Sequence, residues 1–393
     1  MTKQRTYERT YPWINFELNL QRAGYALWVS LGEAQSKCEH IAGTPLSQEA
    51  AKELHTISLI KGVRATTAIE GNTLSEEEIR LRMEKRLTLQ PSREYLGQEV
   101  DNVVRAINEV LKRSIESDSI DLAIDDVKEY NRMILENLKV DSGVIPGRIR
   151  THEVGVMNYS GAPAQDCEFL IEKLCEWLNR EEFRPKDENK IVMGVLRAVV
   201  AHLYLAWIHP FGDGNGRTAR LVEFQILVSA GVSSAAAHLL SNHYNQTRSE
   251  YYRQLDHASR SGGDVLPFIQ YAVGGFVEGL RESLSVIREL QLDLAWRDFI
   301  HETFRERTSV GDVRRRHLLL DLSKQSAPVP FATISRLTPR VAIDYTDKTT
   351  KTLQRDLQEL IKMEMIELIP GGYRAKKGQI LAFLPPRRRS ETP

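Results

Sequence analysis

The chain has 393 residues, of which 41% are apolar and 27% charged, the composition of a globular protein of two or three domains. Lys+Arg and Asp+Glu both number 53, so net charge names no partner. The three cysteines, Cys38, Cys167 and Cys175, are too few and too scattered for a disulfide framework or a four-ligand zinc site. With no apolar leader at the N-terminus, they argue for a cytoplasmic protein rather than a secreted or membrane-spanning one.

Helical periodicity dominates up to about residue 310. Ser47 caps an expected helix from Gln48 to Val63, and Ser75-Glu76-Glu77-Glu78 opens another, its acids suiting the positive end of the helix dipole. Further helices are expected at Gln98–Ile115, Ile124–Leu138, Cys167–Leu178, Ile191–Ile208, Thr218–Ala230, Ser249–Ala258 and Val265–Leu292. Ile149 to Val156 alternates after a Pro146-Gly147 turn and reads as a short hairpin. Ile191–Ile208 is long enough to approach a membrane span, but Arg197 and His202 in its middle favour a helix buried among others.

The C-terminal part differs. From Asp312 to Pro393, sixteen Lys and Arg oppose nine Asp and Glu, which suggests a separate unit with an anionic partner. Arg314–Ser323 and Thr349–Met363 read as helices, the second with Leu353, Leu357, Leu360 and Ile361 on one face. Ile366–Ile369, a Gly371-Gly372 turn and Gln379–Leu384 then read as a two-strand ribbon, and Arg387–Arg389 as a solvated basic tail. Helix, helix and ribbon in this order resemble a winged helix-turn-helix. Thr349–Met363 would be its recognition helix. Lys348, Lys351 and Arg355 could then meet DNA, with Arg374, Lys376 and Lys377 in the wing. Asp347, Asp356 and Glu359 on the same helix weaken that footprint, so protein docking or a homodimer contact stays open.

The chemistry concentrates in His209-Pro210-Phe211-Gly212-Asp213-Gly214-Asn215-Gly216-Arg217-Thr218-Ala219-Arg220. Gly214, Asn215 and Gly216 let successive N–H groups point into one concavity, and the helix that follows adds its positive end, a combination suited to phosphate. Arg217 and Arg220 can lean toward that anion from the helix's first turn. Asp213 is a hard oxygen ligand for Mg²⁺, and His209 can accept a proton near neutral pH. The Walker pattern is absent, and Arg217 breaks a calcium-loop reading.

These twelve residues match the signature H-P-F-x-[DE]-G-N-G-R-x-x-R, and the segment from Gln98 to Leu292 resembles the Fic family. That resemblance implies an all-α core and transfer of AMP from ATP to a Ser, Thr or Tyr hydroxyl of a protein, the chain itself included. It makes His209 the base, Asp213 the Mg²⁺ ligand and Phe211 the loop's anchor. Gly214, Asn215 and Gly216 become the anion hole, within a nucleotide-binding stretch that runs through Arg217, Thr218, Ala219 and Arg220. The hairpin at Arg148–Val156 falls where the family has a flap that aligns the target by strand addition. Leu239–Tyr252 resembles the adenine-pocket region, with Asn245 and Thr247 as alternatives the spacing does not separate. Thr66 to Asn72 is similar to the inhibitory motif [ST]-x-x-x-E-[GN], which implies that Glu70 pairs with Arg220 where the γ-phosphate would lie.

The expected fold is therefore mainly α: a Fic helical core with a small β-hairpin flap and a C-terminal winged helix-turn-helix. Expected boundaries are 1–97 for the N-terminal helical region, 98–292 for the core and 310–393 for the C-terminal domain. Relatives of the family that remove AMP, or transfer phosphate or phosphocholine, leave alternative reactions on the same site. A DNA-binding regulator with a nucleotide-sensing core is a third reading. Cys167 and Cys175, His238 and His243, and His301-Glu302 suggest no metal site.

Overall fold

The computed structural model describes residues 5–116, 121–156, 159–184 and 186–381. The chain divides into two units, Met1–Leu284 and Ser285–Pro393. The principal helices of the first are α1 (Tyr25–Gly43), α2 (Gln48–Ala68), α3 (Glu76–Met83), α4 (Glu94–Glu116), α5 (Ile124–Leu135), α6 (Cys167–Leu178), α7 (Lys190–Ile208), α8 (Asn215–Ser229), α9 (Leu239–Gln246) and α10 (Arg248–Arg260). A long helix, α11 (Leu266–Thr303), contains the division between the units.

Helix α7 is the centre of the first unit. Val195, Leu196, Ala198, Val199, Val200, Ala201 and Leu203 are all fully buried, so it is apolar on every side because other helices surround it. It is the one helix among the described residues long and apolar enough to cross a membrane, and 83% of it is buried inside the protein. Arg197 in its middle donates to Asn179 Oδ1 at 2.7 Å. Helix α8 packs along α7.

Residues 1–97 do not form a domain of their own. Leu59, Ile60, Val63 and Ala65 of α2 are buried in the core they share with α9 and α4, since a lone amphipathic helix cannot bury its apolar face. Helix α2 also runs five residues beyond the expected Val63, so the 66–72 motif straddles its end. Ser75 caps α3 in a reciprocal capping box with Glu78, as its acids foretell. Helix α1 has no counterpart in the sequence reading, because Gly, Ala and Ser blur its apolar stripe.

In the second unit, Trp296, Ile300 and Phe304 of α11 join the core of α12 (Val310–Leu322), α13 (Pro339–Tyr345) and α14 (Thr350–Lys362), which moves its start well before residue 310. The ribbon of this unit pairs Ile366–Ile369 with Gly372–Ala375, so the second strand follows the glycine turn at once rather than at Gln379. Lys377–Ile380 forms a single 3-10 turn instead. Val329 adds a third short rung by exchanging two 2.9 Å hydrogen bonds with Tyr373. The expected strand end beyond Leu381 and the basic tail lie outside the described residues.

Candidate active site

The functional loop joins the end of α7 to the start of α8. His209 caps α7 in the left-handed region, at φ 49° and ψ 60°, a conformation that costs a non-glycine residue about 1–2 kcal/mol. Gly214, at φ 76°, opens α8. The Asn215 side chain clasps the loop from inside: Oδ1 accepts the Phe211 N–H at 2.8 Å and Nδ2 donates to the Phe211 carbonyl at 2.8 Å. The Phe211 ring is buried beneath. Thr218 Oγ1 donates to the Gly214 carbonyl at 2.8 Å, and Ala219 is buried in the core. Asn215 and Thr218 therefore brace the loop through their side chains, and Asn215 also lines the cavity described below.

Two residues that no sequence signal marked hold this loop. Asn131 on α5 donates to the Asp213 carbonyl at 2.9 Å and to Thr218 Oγ1 at 3.2 Å, while its Oδ1 accepts the Gly147 N–H at 2.9 Å. Arg150 is fully buried and donates to four backbone carbonyls: those of His209 at 2.7 Å, His152 at 2.7 Å, Ile208 at 3.4 Å, and Ala162. Its own N–H donates to the Pro210 carbonyl at 2.9 Å. One inward guanidinium thus fixes the strained His209 turn and the base of the neighbouring hairpin. The buried arginine also explains why Ile149–Val154 is not strand. The hairpin begins only at β1 (Gly155–Val156), which pairs with β2 (Tyr159–Ser160).

Arg150→Lys retains the charge but loses the planar fork of donors. For the AMP transfer that the sequence resemblance implies, this variant is expected to lose at least about tenfold in kcat, since small misplacements of a reacting group are costly, with KM for ATP changed by no more than about threefold. Steady-state kinetics checks this; equal losses in both parameters would contradict a positioning role.

At the head of α8 the structure brings Gly216, Arg220 and Glu70 together. Glu70 Oε1 accepts from the buried Arg220 guanidinium at 2.5 Å, and Arg220 also donates to the Thr66 carbonyl at 3.0 Å. The Glu70 carboxylate lies directly over Gly216, where a Cβ would stand 2.2 Å from Oε1, so a larger residue there would force the carboxylate to move. Burial works to raise the Glu70 pKa, but the charge and hydrogen bond of Arg220 outweigh it and hold the carboxyl below the usual range. Arg217 turns the other way. It donates to Glu99 Oε1 at 3.1 Å and Asp213 Oδ1 at 3.3 Å, and Glu99 also accepts from Asn72 Nδ2 at 2.8 Å. Arg217 thereby ties the 66–72 segment to the loop.

These groups face a cavity of about 710 Å³, lined among others by Glu70, His152, Tyr159, His209, Asp213, Gly216, Arg220 and Tyr252. The hairpin borders it through Gly155 and Tyr159, and Val154 just before it does too. Neither Asn245 nor Thr247 lines it: the Thr247 hydroxyl is spent on the His243 carbonyl at 2.7 Å and the Tyr271 hydroxyl at 2.6 Å. The helix is interrupted at Thr247, and α10 supplies the wall instead with Ser249, Tyr251, Tyr252, Arg253, Leu255 and Asp256. His238 stacks on Phe224 and His243 packs at a tilt against Tyr271. Cys38, Cys167 and Cys175 are free and buried.

With this geometry in place, residues 121–227 match the family model described as the Fic/DOC family. The chain carries a Fic domain. Protein adenylyltransferase fic-1 of Caenorhabditis elegans is 32% identical over 212 residues, 52% of this chain and 37% of its own length. Protein adenylyltransferase Fic of Nematostella vectensis is 29% identical over 235 residues, 58% of this chain and 49% of its own. The chain thus spans less than half of these curated relatives. The solved structure of Fic-1, residues 134–508, from C. elegans superposes with a TM-score of 0.54 at 27% identity, over 67% of this chain and 73% of that one. A Fic family protein from Desulfovibrio desulfuricans G20 shares the fold over 91% of this chain and 98% of its own, with a TM-score of 0.57 at 19% identity.

Within the Fic domain, burial lowers the His209 pKa to about 4, against a hydrogen bond to the Ala206 backbone that favours the charged form. The ring is therefore neutral at pH 7. A neutral imidazole keeps a lone pair on one ring nitrogen, the acceptor a base needs. Burial likewise pushes His238 down to about 3. In the unfolded chain both titrate near 6.5, so between about pH 6.5 and 4 it binds more protons than the native state, and stability falls as pH falls. Tm is expected to drop by several degrees from pH 7 to 4.5 in a thermal melt, while a constant Tm would contradict neutral, buried imidazoles.

Proposed function

We propose that this chain is a cytoplasmic adenylyltransferase that moves AMP from ATP to a Ser, Thr or Tyr hydroxyl of a protein, itself included, and that Glu70 holds it inactive. One observation carries the reading: the head of α8, beside the neutral His209, is an anion site already filled by a carboxylate. A helix N-terminus with an open Gly216 and a buried guanidinium suits the phosphates of a nucleotide. The target hydroxyl gives its proton to His209, its oxygen bonds to the α-phosphorus, and the bond to the β-phosphate oxygen breaks to release pyrophosphate. Positioning and charge stabilisation do most of the work in such a transfer.

The described residues hold no cluster of three metal-ligating side chains, but a Mg²⁺ carried mainly by phosphates and water needs only one or two carboxylates. Asp213, about half exposed and facing the cavity, fits that part. The ion would neutralise charge on the phosphates. The edge of the hairpin beside His209 supports docking of an extended target segment by strand addition. The three buried thiols fit a reducing compartment.

Parallel incubations with ATP labelled at the α- or the γ-phosphate test the reaction. Label is expected on protein from the α-position alone. Label from the γ-position would make the site a phosphotransferase, and release of AMP from modified protein without new labelling would make it a remover of AMP.

A further inference from the structure

In the basic C-terminal unit the exposed side of α14 carries an unbalanced charge. Leu353, Asp356, Leu357 and Leu360 are buried on one side of the helix. Lys351, Gln354, Arg355, Gln358 and Lys362 are all exposed. On a helix of 3.6 residues per turn these five fall within a sector about 100° wide, opposite Leu360, and extend about 16 Å along the axis.

The acids that weakened a nucleic-acid reading are largely removed from this face. Asp356 points inward, where it accepts from Arg314 at 2.7 Å, Arg315 at 3.2 Å and the Tyr345 hydroxyl at 2.9 Å. Glu359 is half-buried at the flank, and Asp347 precedes the helix. Elsewhere in the unit Arg340, Arg374, Lys376 and Lys377 each have a carboxylate partner. Among the described residues Lys351, Arg355 and Lys362 have none.

We propose that this face of α14 binds double-stranded DNA in the major groove. The order of α12, the Val329 rung, α13, α14 and the ribbon makes the unit a winged helix-turn-helix with α14 as its recognition helix. The major groove is about 12 Å wide and admits one helix. Lysines at both ends of the stripe reach phosphates, while Gln354, Arg355 and Gln358 between them offer the paired donors and acceptors that read base edges. A protein-docking face needs an apolar or aromatic anchor at its centre. This stripe has none; Ile361 is exposed only at its margin. Arg374 is engaged by Glu367, so the ribbon contributes less than the helix.

The test is fluorescence anisotropy of the full chain with a short random-sequence DNA duplex, titrated across salt concentrations. Binding is expected to weaken steeply with salt. The Lys351→Ala/Arg355→Ala/Lys362→Ala variant should bind at least tenfold more weakly, with the log–log salt slope reduced by about two to three, near 0.9 for each phosphate no longer neutralised. Lys351→Arg/Lys362→Arg should bind as the parent does. Labelling from ATP should be equal in all three proteins, so this proposal stands or falls apart from the AMP-transfer reading. Duplex binding that the triple variant leaves unchanged, no salt-dependent binding at all, or a preference for single-stranded RNA would overturn it.

Discussion

Glu70→Gly is expected to label itself from α-labelled ATP about 10- to 100-fold faster than the parent chain. A charge-assisted hydrogen bond of the kind Glu70 makes to Arg220 is worth about 1.5–3 kcal/mol, and each 1.36 kcal/mol is tenfold in rate. The carboxylate acts twice, since it occupies the space over Gly216 and repels any phosphate that would enter. Its removal frees the Arg220 guanidinium, which stays buried and needs an anion. A glycine at the end of α2 costs about 1 kcal/mol or less in helix stability, too little to unfold the chain. Glu70→Gln, which keeps the bulk but not the charge, should give a smaller rise. Initial rates of label incorporation check both. If Glu70→Gly labels no faster than the parent, the carboxylate is a structural helix-end acid and not a brake.

His209→Ala, placed in the Glu70→Gly background, is expected to reduce transfer by about 10²–10⁴, the usual contribution of a positioned general base. Alanine tolerates the left-handed turn about as well as histidine does, so Arg150 and Pro210 keep the loop in place. ATP affinity should change by no more than about twofold, because the anion groups sit on α8 and not on the ring. Retained transfer with unchanged ATP binding would assign the proton to another group.

The loop from His209 to Arg220 was legible because its chemistry is contiguous: glycines, a carboxylate, an imidazole and guanidiniums between two helical patterns. Contiguity did not reveal which way each side chain faces. Asn215 and Arg217 look like ligand donors in sequence, yet one clasps Phe211 and the other binds Glu99. The pairing of Glu70 with Arg220 spans 150 residues, and it was reached only through resemblance, since no local pattern links the two. Arg150 was invisible for the opposite reason. An isolated arginine in a loop reads as exposed, and only the fold shows four carbonyls converging on it. The same inwardness displaced the hairpin from Ile149 to Gly155. On α14, Asp356 counted against a basic face until burial turned it into an internal partner for Arg314 and Arg315.

Intact mass spectrometry after incubation with Mg²⁺ and ATP reads the outcome most directly, using Glu70→Gly beside Glu70→Gly/His209→Ala. The account predicts that the first protein gains the mass of one or more AMP groups and the second gains none. An unchanged mass for Glu70→Gly, a gain of phosphate in place of AMP, or equal gains in both proteins would contradict it.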